Sequence, residues 1–67
     1  MKTMLDVRNL LKHFGIFIYT RDRKGDAELM ELELDALYEQ GLVERDDYLQ
    51  AKVVLRQEKV KFRDKDK

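Results

Sequence analysis

The chain has 67 residues, and 42% of them are charged, with 14 basic residues balanced by 14 acidic ones. It contains no Cys, Pro, Trp or Ser, which excludes a disulfide framework and a zinc site built on thiolates. A chain of this length forms one small core, and no apolar run approaches the roughly 20 residues that cross a bilayer. We therefore predict a single domain over residues 1–67. No secretory signal is recognisable near Met1, so we expect a cytoplasmic protein.

The chain has few hydroxyl or imidazole side chains that could act as nucleophiles or bases in catalysis. The hydroxyl groups belong to Thr3, Thr20 and three Tyr, and His13 is the only imidazole. Nucleophilic catalysis needs an activated nucleophile beside a base, and a metal site without thiolates needs several imidazoles or carboxylates in one cluster. We therefore expect a protein that is not an enzyme and that uses no cofactor and no metal.

The first predicted element is a helix over residues 3–14. Thr3 is a favourable N-cap residue, and Asp6 three positions later completes a short capping box. Gly15 can adopt the left-handed conformation that ends a helix. The apolar residues of this segment recur at the i, i+3, i+4, i+7 spacing of one buried face: Val7, Leu10, Leu11 and Phe14.

An extended connector is predicted over residues 16–25. The stretch from Ile16 to Thr20 is β-branched and aromatic, but it is only five residues long and has no partner strand. We expect two or three of its side chains, Phe17 among them, to enter the core. A polar, basic loop with Gly25 as a helix breaker follows.

A second helix is predicted over residues 26–40, with Asp26 as its N-cap. It should end at Gly41 in a Schellman motif that brings Leu42 against Leu37. One apolar stripe carries Ala27, Met30, Leu34, Leu37 and Tyr38, and a neighbouring side carries Leu29, Leu32 and Ala36. This combined arc is wider than an ordinary surface helix needs.

A third helix is predicted over residues 45–62, with Asp46 and Asp47 at its positive N-terminal end. Its buried face consists of Tyr48, Ala51, Val54, Leu55 and Phe62. Because the loops between the predicted helices are short, neighbouring helices should run antiparallel. The expected fold is an all-α three-helix bundle.

A resemblance covers residues 4–58. Its residues are Phe14-Gly15-Ile16-Phe17-Ile18-Tyr19-Thr20, Asp22-Arg23, Glu28-Leu29-Met30, Glu33-Leu34, Leu37-Tyr38, Gly41-Leu42, Tyr48, Ala51 and Leu55-Arg56. In these positions the chain resembles the YqgQ-like family of small bacterial cytosolic proteins of unknown function. The resemblance implies a three-helix bundle and a role in binding single-stranded nucleic acid, and it carries no catalytic motif. Arg21 stands where the family pattern often has a small residue.

Charge is unevenly distributed along the chain. Residues 1–24 carry six basic and two acidic side chains. Residues 25–50 carry one basic and nine acidic side chains, and residues 51–67 carry seven basic and three acidic ones. An acidic middle helix can therefore lie between two basic flanks and pair with them, or the molecule can present a basic side to a partner.

Two binding hypotheses follow from this pattern. A positive groove with aromatic platforms is typical of proteins that bind single-stranded RNA or DNA. The candidate contacts are Lys12, Tyr19, Arg21, Arg23 and Lys24 around the connector, and Lys52, Arg56 and Lys59 on the third helix. Alternatively, the apolar, acidic-rimmed side of the second helix, with Leu29, Leu32 and Ala36, is the interface to a protein partner or a second copy of the chain.

Overall fold

The computed structural model describes residues 3–62, the side chain of Phe62 excepted, and these residues form three helices. Helix α1 spans Met4–His13, α2 spans Arg23–Glu39 and α3 spans Arg45–Phe62. The all-α three-helix bundle is therefore confirmed. No helix in the described part of the chain is both long and apolar enough to cross a membrane.

The predicted N-cap of α1, its end at Gly15 and the end of α2 at Gly41 are confirmed. Thr3 caps α1, and it exchanges hydrogen bonds of 3.2 Å with Asp6 in a full capping box. Both α1 and α2 end in Schellman motifs. Gly15 and Gly41 take φ values of +79° and +76°, which a residue with a Cβ rarely adopts.

The predicted start of α2 is wrong. The N-cap is Asp22, whose carboxylate accepts a hydrogen bond of 3.1 Å from the backbone N–H of Gly25, so the helix begins three residues earlier than expected. Asp26 instead lies inside the first turn with only 1% of its surface exposed. Its carboxylate is occupied by partners from outside the helix.

The core is built by one face of each helix together with Val43 of the loop between α2 and α3. Its ten buried hydrophobic residues are Val7, Leu11, Ala27, Met30, Leu34, Leu37, Val43, Ala51, Val54 and Leu55. The most extensive packing is between α2 and α3, and α1 packs against both. Early residues of α2 contact late residues of α3, since Arg23 pairs with Glu58 whereas Asp35 contacts Tyr48. The two helices are therefore antiparallel, as the short loop predicts.

Candidate nucleic-acid interface

The connector between α1 and α2 is extended, and its side chains alternate. Ile16 and Ile18 pack against the core, whereas Phe17 and Tyr19 are each 74% exposed. Successive side chains of an extended segment point to opposite sides, which explains the pattern. Tyr19, one of the candidate contacts, therefore lies on the surface. The expected burial of Phe17 is wrong, because the two isoleucines already face the core and leave the outer side to the aromatic residues.

A clamp around the buried carboxylate of Asp26 holds the connector in place. The carboxylate of Asp26 accepts hydrogen bonds from the backbone N–H of Thr20 at 3.0 Å and from its hydroxyl at 2.6 Å. The guanidinium of Arg8 lies 3.5 Å from the same carboxylate and donates to the carbonyl of Ile18. It also lies 5.7 Å from the centre of the Tyr19 ring. Residues of α1 and α2 thus fix the backbone on both sides of Tyr19.

The pKa of Asp26 reflects two opposing influences. Burial is the largest and raises the pKa, but the hydrogen bonds from Thr20 and the neighbouring Arg8 together outweigh it. The pKa therefore lies below the usual aspartate value. Asp26 is a stable anion at neutral pH, and its charge is compensated within the fold by Arg8.

A groove of about 340 Å³ opens between α1 and the connector. Its lining is mainly apolar, and it consists of Leu5, Arg8, Asn9, Leu11, Lys12, Ile16, Phe17, Ile18, Tyr19 and Met30. This volume is at the lower end of the range typical of ligand sites. The groove therefore has room for one small planar group beside the two exposed aromatic rings.

Three of the predicted basic contacts surround this groove or follow it in the chain. Lys12 lines the groove, and Arg21 and Lys24 belong to the loop and helix start that follow Tyr19. All three are exposed, and none forms an ion pair with another residue between positions 3 and 62. We call this set, with Phe17 and Tyr19, the connector face.

Arg21 has an unusual backbone. Its φ of +74° lies in the left-handed region, which costs a residue with a Cβ roughly 1–2 kcal/mol relative to the right-handed region. A small residue such as Gly would occupy this position without that cost. Position 21 is thus one that favours glycine, and the chain has Arg there instead.

The predicted basic contacts on α3 lie in different surroundings. Lys52 Nζ lies 2.7 Å from Glu31 and 3.1 Å from Asp35, and Lys59 pairs with the other oxygen of Glu31. Arg56, by contrast, is exposed. We call the set of Glu31, Asp35, Tyr48, Lys52 and Lys59 the α2–α3 seam. The charge pattern had two interpretations, and one of them was pairing between an acidic α2 and a basic neighbouring helix. The seam contains this pairing.

The ionisation of the seam follows from these contacts. Hydrogen bonds from Lys52 and Lys59 lower the pKa of Glu31. Burial alone would lower the pKa of Lys52, but its bonds to Glu31 and Asp35 outweigh this and raise it to about 12. The hydrogen bond of 2.8 Å from Tyr48 to Asp35 is the main reason why the pKa of that phenol is raised. These cations are already neutralised within the bundle.

Arg23 is also engaged inside the molecule. Its Nη1 lies 3.1 Å from Glu58, which is buried on α3. Of the eight predicted nucleic-acid contacts, the structure therefore brings Lys12 and Tyr19 into one groove, with Arg21 and Lys24 next in the chain. It places Lys52 and Lys59 on a separate seam.

The alternative interface on α2 is exposed. Leu29 and Leu32 are 44% and 66% exposed, and Ala36 is partly buried. Glu28 and Glu33 lie beside these residues in the sequence and are also exposed. The predicted apolar side with an acidic rim is therefore present on the surface.

Sequence reasoning did not identify Asn9 as a groove residue or Arg8 and Asp26 as partners in the clamp. Arg8 and Asp26 form a contact across 18 positions of the chain, which no local pattern reveals. Asn9 is an exposed residue of α1, and only the path of the connector places it in the groove. Within residues 3–62 no group of three or more His, Asp or Glu side chains is arranged to hold a metal ion.

These features define a class of small all-α protein with an extended, aromatic connector in a three-helix bundle. The model of the YqgQ-like family matches residues 1–61, and the chain belongs to that family. It is 41% identical over 58 residues to the uncharacterized protein YqgQ of Bacillus subtilis (strain 168). The aligned segment covers 87% of this chain and 82% of the relative.

Proposed function

We propose that this protein binds single-stranded nucleic acid in the cytoplasm through the connector face and has no catalytic role. The observation that carries the proposal is the exposure of Phe17 and Tyr19, each 74%, on one side of a backbone fixed by the Arg8–Asp26 clamp. Bases of a single strand stack on such rings, and each stacked base contributes about 1–3 kcal/mol. Exposed aromatic rings held in a fixed position bind at a smaller entropic cost than mobile ones.

The charges on this face support the same partner. Lys12, Arg21 and Lys24 are exposed and unpaired within the described chain, so each is available to a phosphate. The overall balance of 14 basic and 14 acidic residues predicts weak non-specific attraction to duplex DNA. Stacking on unpaired bases then favours single strands over duplexes.

The test is fluorescence anisotropy of labelled single-stranded RNA and DNA, with a duplex of the same sequence, at several salt concentrations. We expect micromolar binding of single strands that weakens with salt and exceeds duplex binding. Replacement of Tyr19 or Phe17 by Ala should weaken binding by about 1–3 kcal/mol each. Val60→Ala is the matched control, since Val60 is also an exposed apolar residue but lies on α3. Absence of single-strand binding at low salt would overturn the proposal.

A second candidate function rests on the exposed leucines of α2. An apolar surface around Leu29 and Leu32, beside Glu28 and Glu33, suits a protein partner with a basic, amphipathic face or a second copy of the chain. Leu32→Glu tests it by sedimentation and by partner pull-down from cell extract. A variant that stays folded but loses a partner or a dimer mass would favour this candidate. A mass and partner set unchanged from the wild type would count against it.

A further inference from the structure

The groove beside the connector contains one neutral group that the proposed function does not yet use. Asn9 is exposed, lies on the α1 wall of the groove, and forms no hydrogen bond with another described residue. Leu5, Asn9 and Lys12 are spaced i, i+4, i+7, so they share one face of α1. Phe17 and Tyr19 line the same groove from the connector.

Arg8 also lines the groove, but its guanidinium is not available to a ligand in the same way. Arg8 donates to the carbonyl of Ile18 and pairs with the buried carboxylate of Asp26. A free Arg reads guanine through two parallel hydrogen bonds to O6 and N7, and this geometry would require Arg8 to leave the clamp. The amide of Asn9 is therefore the uncommitted group that offers a donor and an acceptor side by side.

We infer that the groove seats one base of the bound single strand and that Asn9 selects adenine there. This inference rests on the proposed function and names the base that the same site prefers. An Asn amide matches adenine through paired hydrogen bonds to N6 and N7, while the base plane stacks on an exposed aromatic ring. The ammonium of Lys12, one helical turn from Asn9, contacts the phosphate of the same nucleotide.

Size and charge agree with one nucleotide unit at this place. The volume of about 340 Å³ accommodates one planar group rather than a stack of several. The lining includes the buried side chains of Leu11 and Met30, whose apolar surface suits a base and not a phosphate. The unpaired cation stands at the wall, where an anionic backbone stays in water.

The experiment compares oligothymidines that carry a single central adenine, guanine or abasic site, measured by anisotropy with the full chain. For the wild type we expect the central adenine to bind about fivefold more tightly than the central guanine, the lower end of what a bidentate base contact provides. Asn9→Ala should bring the adenine-to-guanine ratio close to one while leaving binding of the abasic oligomer unchanged. Gln57→Ala is the matched control, an exposed amide on α3 outside the groove, and should keep the ratio.

Each other outcome is decisive. Equal affinity for the adenine and guanine oligomers would overturn the adenine preference and leave the proposed function standing. A preference that survives Asn9→Ala would remove Asn9 from the contact. Binding of none of the oligomers would overturn the inference together with the proposed function. A second readout is the NMR signal of the Asn9 side-chain amide, which should shift on addition of adenosine monophosphate and stay in place with guanosine monophosphate.

Discussion

The connector face and the α2–α3 seam contain the same kind of basic side chain in opposite circumstances. Lys52 and Lys59 of the seam are held by Glu31, whereas Lys12, Arg21 and Lys24 of the connector face have no such partner among the described residues. From sequence alone both groups are candidate phosphate contacts, and for the basic residues of α3 pairing with α2 is an equally good reading. The difference teaches that a cation marks a binding surface only when the fold has left its charge uncompensated.

The largest expected effect is a loss of stability when the clamp that holds the connector is removed. Asp26→Ala should destabilise the protein by about 3 kcal/mol, because it leaves the Thr20 N–H and the partly buried Arg8 without their anion. Urea unfolding followed by circular dichroism measures the loss. Asp35→Ala is the control from the seam, where the carboxylate is more exposed, and it should cost about 1 kcal/mol or less. Equal losses would mean that the clamp is no stronger than the seam.

Low pH should weaken the contacts of two carboxylates, Asp26 in the clamp and Glu31 in the seam, because protonation removes their charge. The pKa values of Asp26 and Glu31 are lowered in the folded state, so their stabilisation is complete above the unfolded pKa values of about 3.9 and 4.3 and is lost as pH falls through and below them. At the alkaline end the seam should respond. The raised pKa of Lys52, about 12, gives stability that is complete below its ordinary value of 10.5 and disappears as pH rises towards 12.

Unfolding free energies measured across the pH range separate the two regions. Lys52→Met should abolish the Lys52 part of the alkaline loss and keep the acid loss at Asp26. An unchanged alkaline profile in this variant would show that the seam does not depend on the charge of Lys52.

The third prediction concerns binding of single strands rather than stability. Replacing Lys12, Arg21 and Lys24 together by Ala should reduce the slope of log affinity against log salt by about 2, since each phosphate contact on a single strand contributes about 0.7. Lys52→Ala with Lys59→Ala should lower stability and leave the slope unchanged, because those charges are compensated in the bundle. A fall in slope for the seam pair and not for the connector triple would reverse the comparison.

The smallest effects are expected at the two helix ends. Gly15→Ala and Gly41→Ala should each lower the free energy of unfolding by about 1 kcal/mol, because both glycines have positive φ. An added Cβ would meet no atom within 4 Å at either position. The cost is thus conformational and not steric. Arg21→Gly should stabilise the connector by up to about 1 kcal/mol for the same reason, while it removes one of the proposed phosphate contacts. Thermal unfolding of the three variants measures all three changes.

The helices could be predicted because their signals are local. The capping box at Thr3, the Schellman motif at Gly41 and the apolar spacing on each helix depend on residues a few positions apart. The start of α2 could not, since Asp22 and Asp26 are equally good N-cap residues in sequence, and only the approach of Thr20 and Arg8 assigns Asp26 to the clamp. The exposure of Phe17 was missed for a related reason: alternation along the connector is visible only once Ile16 and Ile18 are known to face the core.

The three tyrosines are distributed so that each region has its own optical reporter. The rings of Tyr38 and Tyr48 are stacked with their centres 4.0 Å apart and their planes 6° from parallel, while Tyr19 lies in the groove beside Arg8. Because the chain has no Trp, its ultraviolet emission comes from tyrosine alone. The near-ultraviolet circular dichroism of the stacked pair, recorded before any oligonucleotide is added, then reports on the integrity of the bundle. A change of tyrosine emission on addition of an oligonucleotide, absent in Tyr19→Phe, tests the proposed contact at Tyr19.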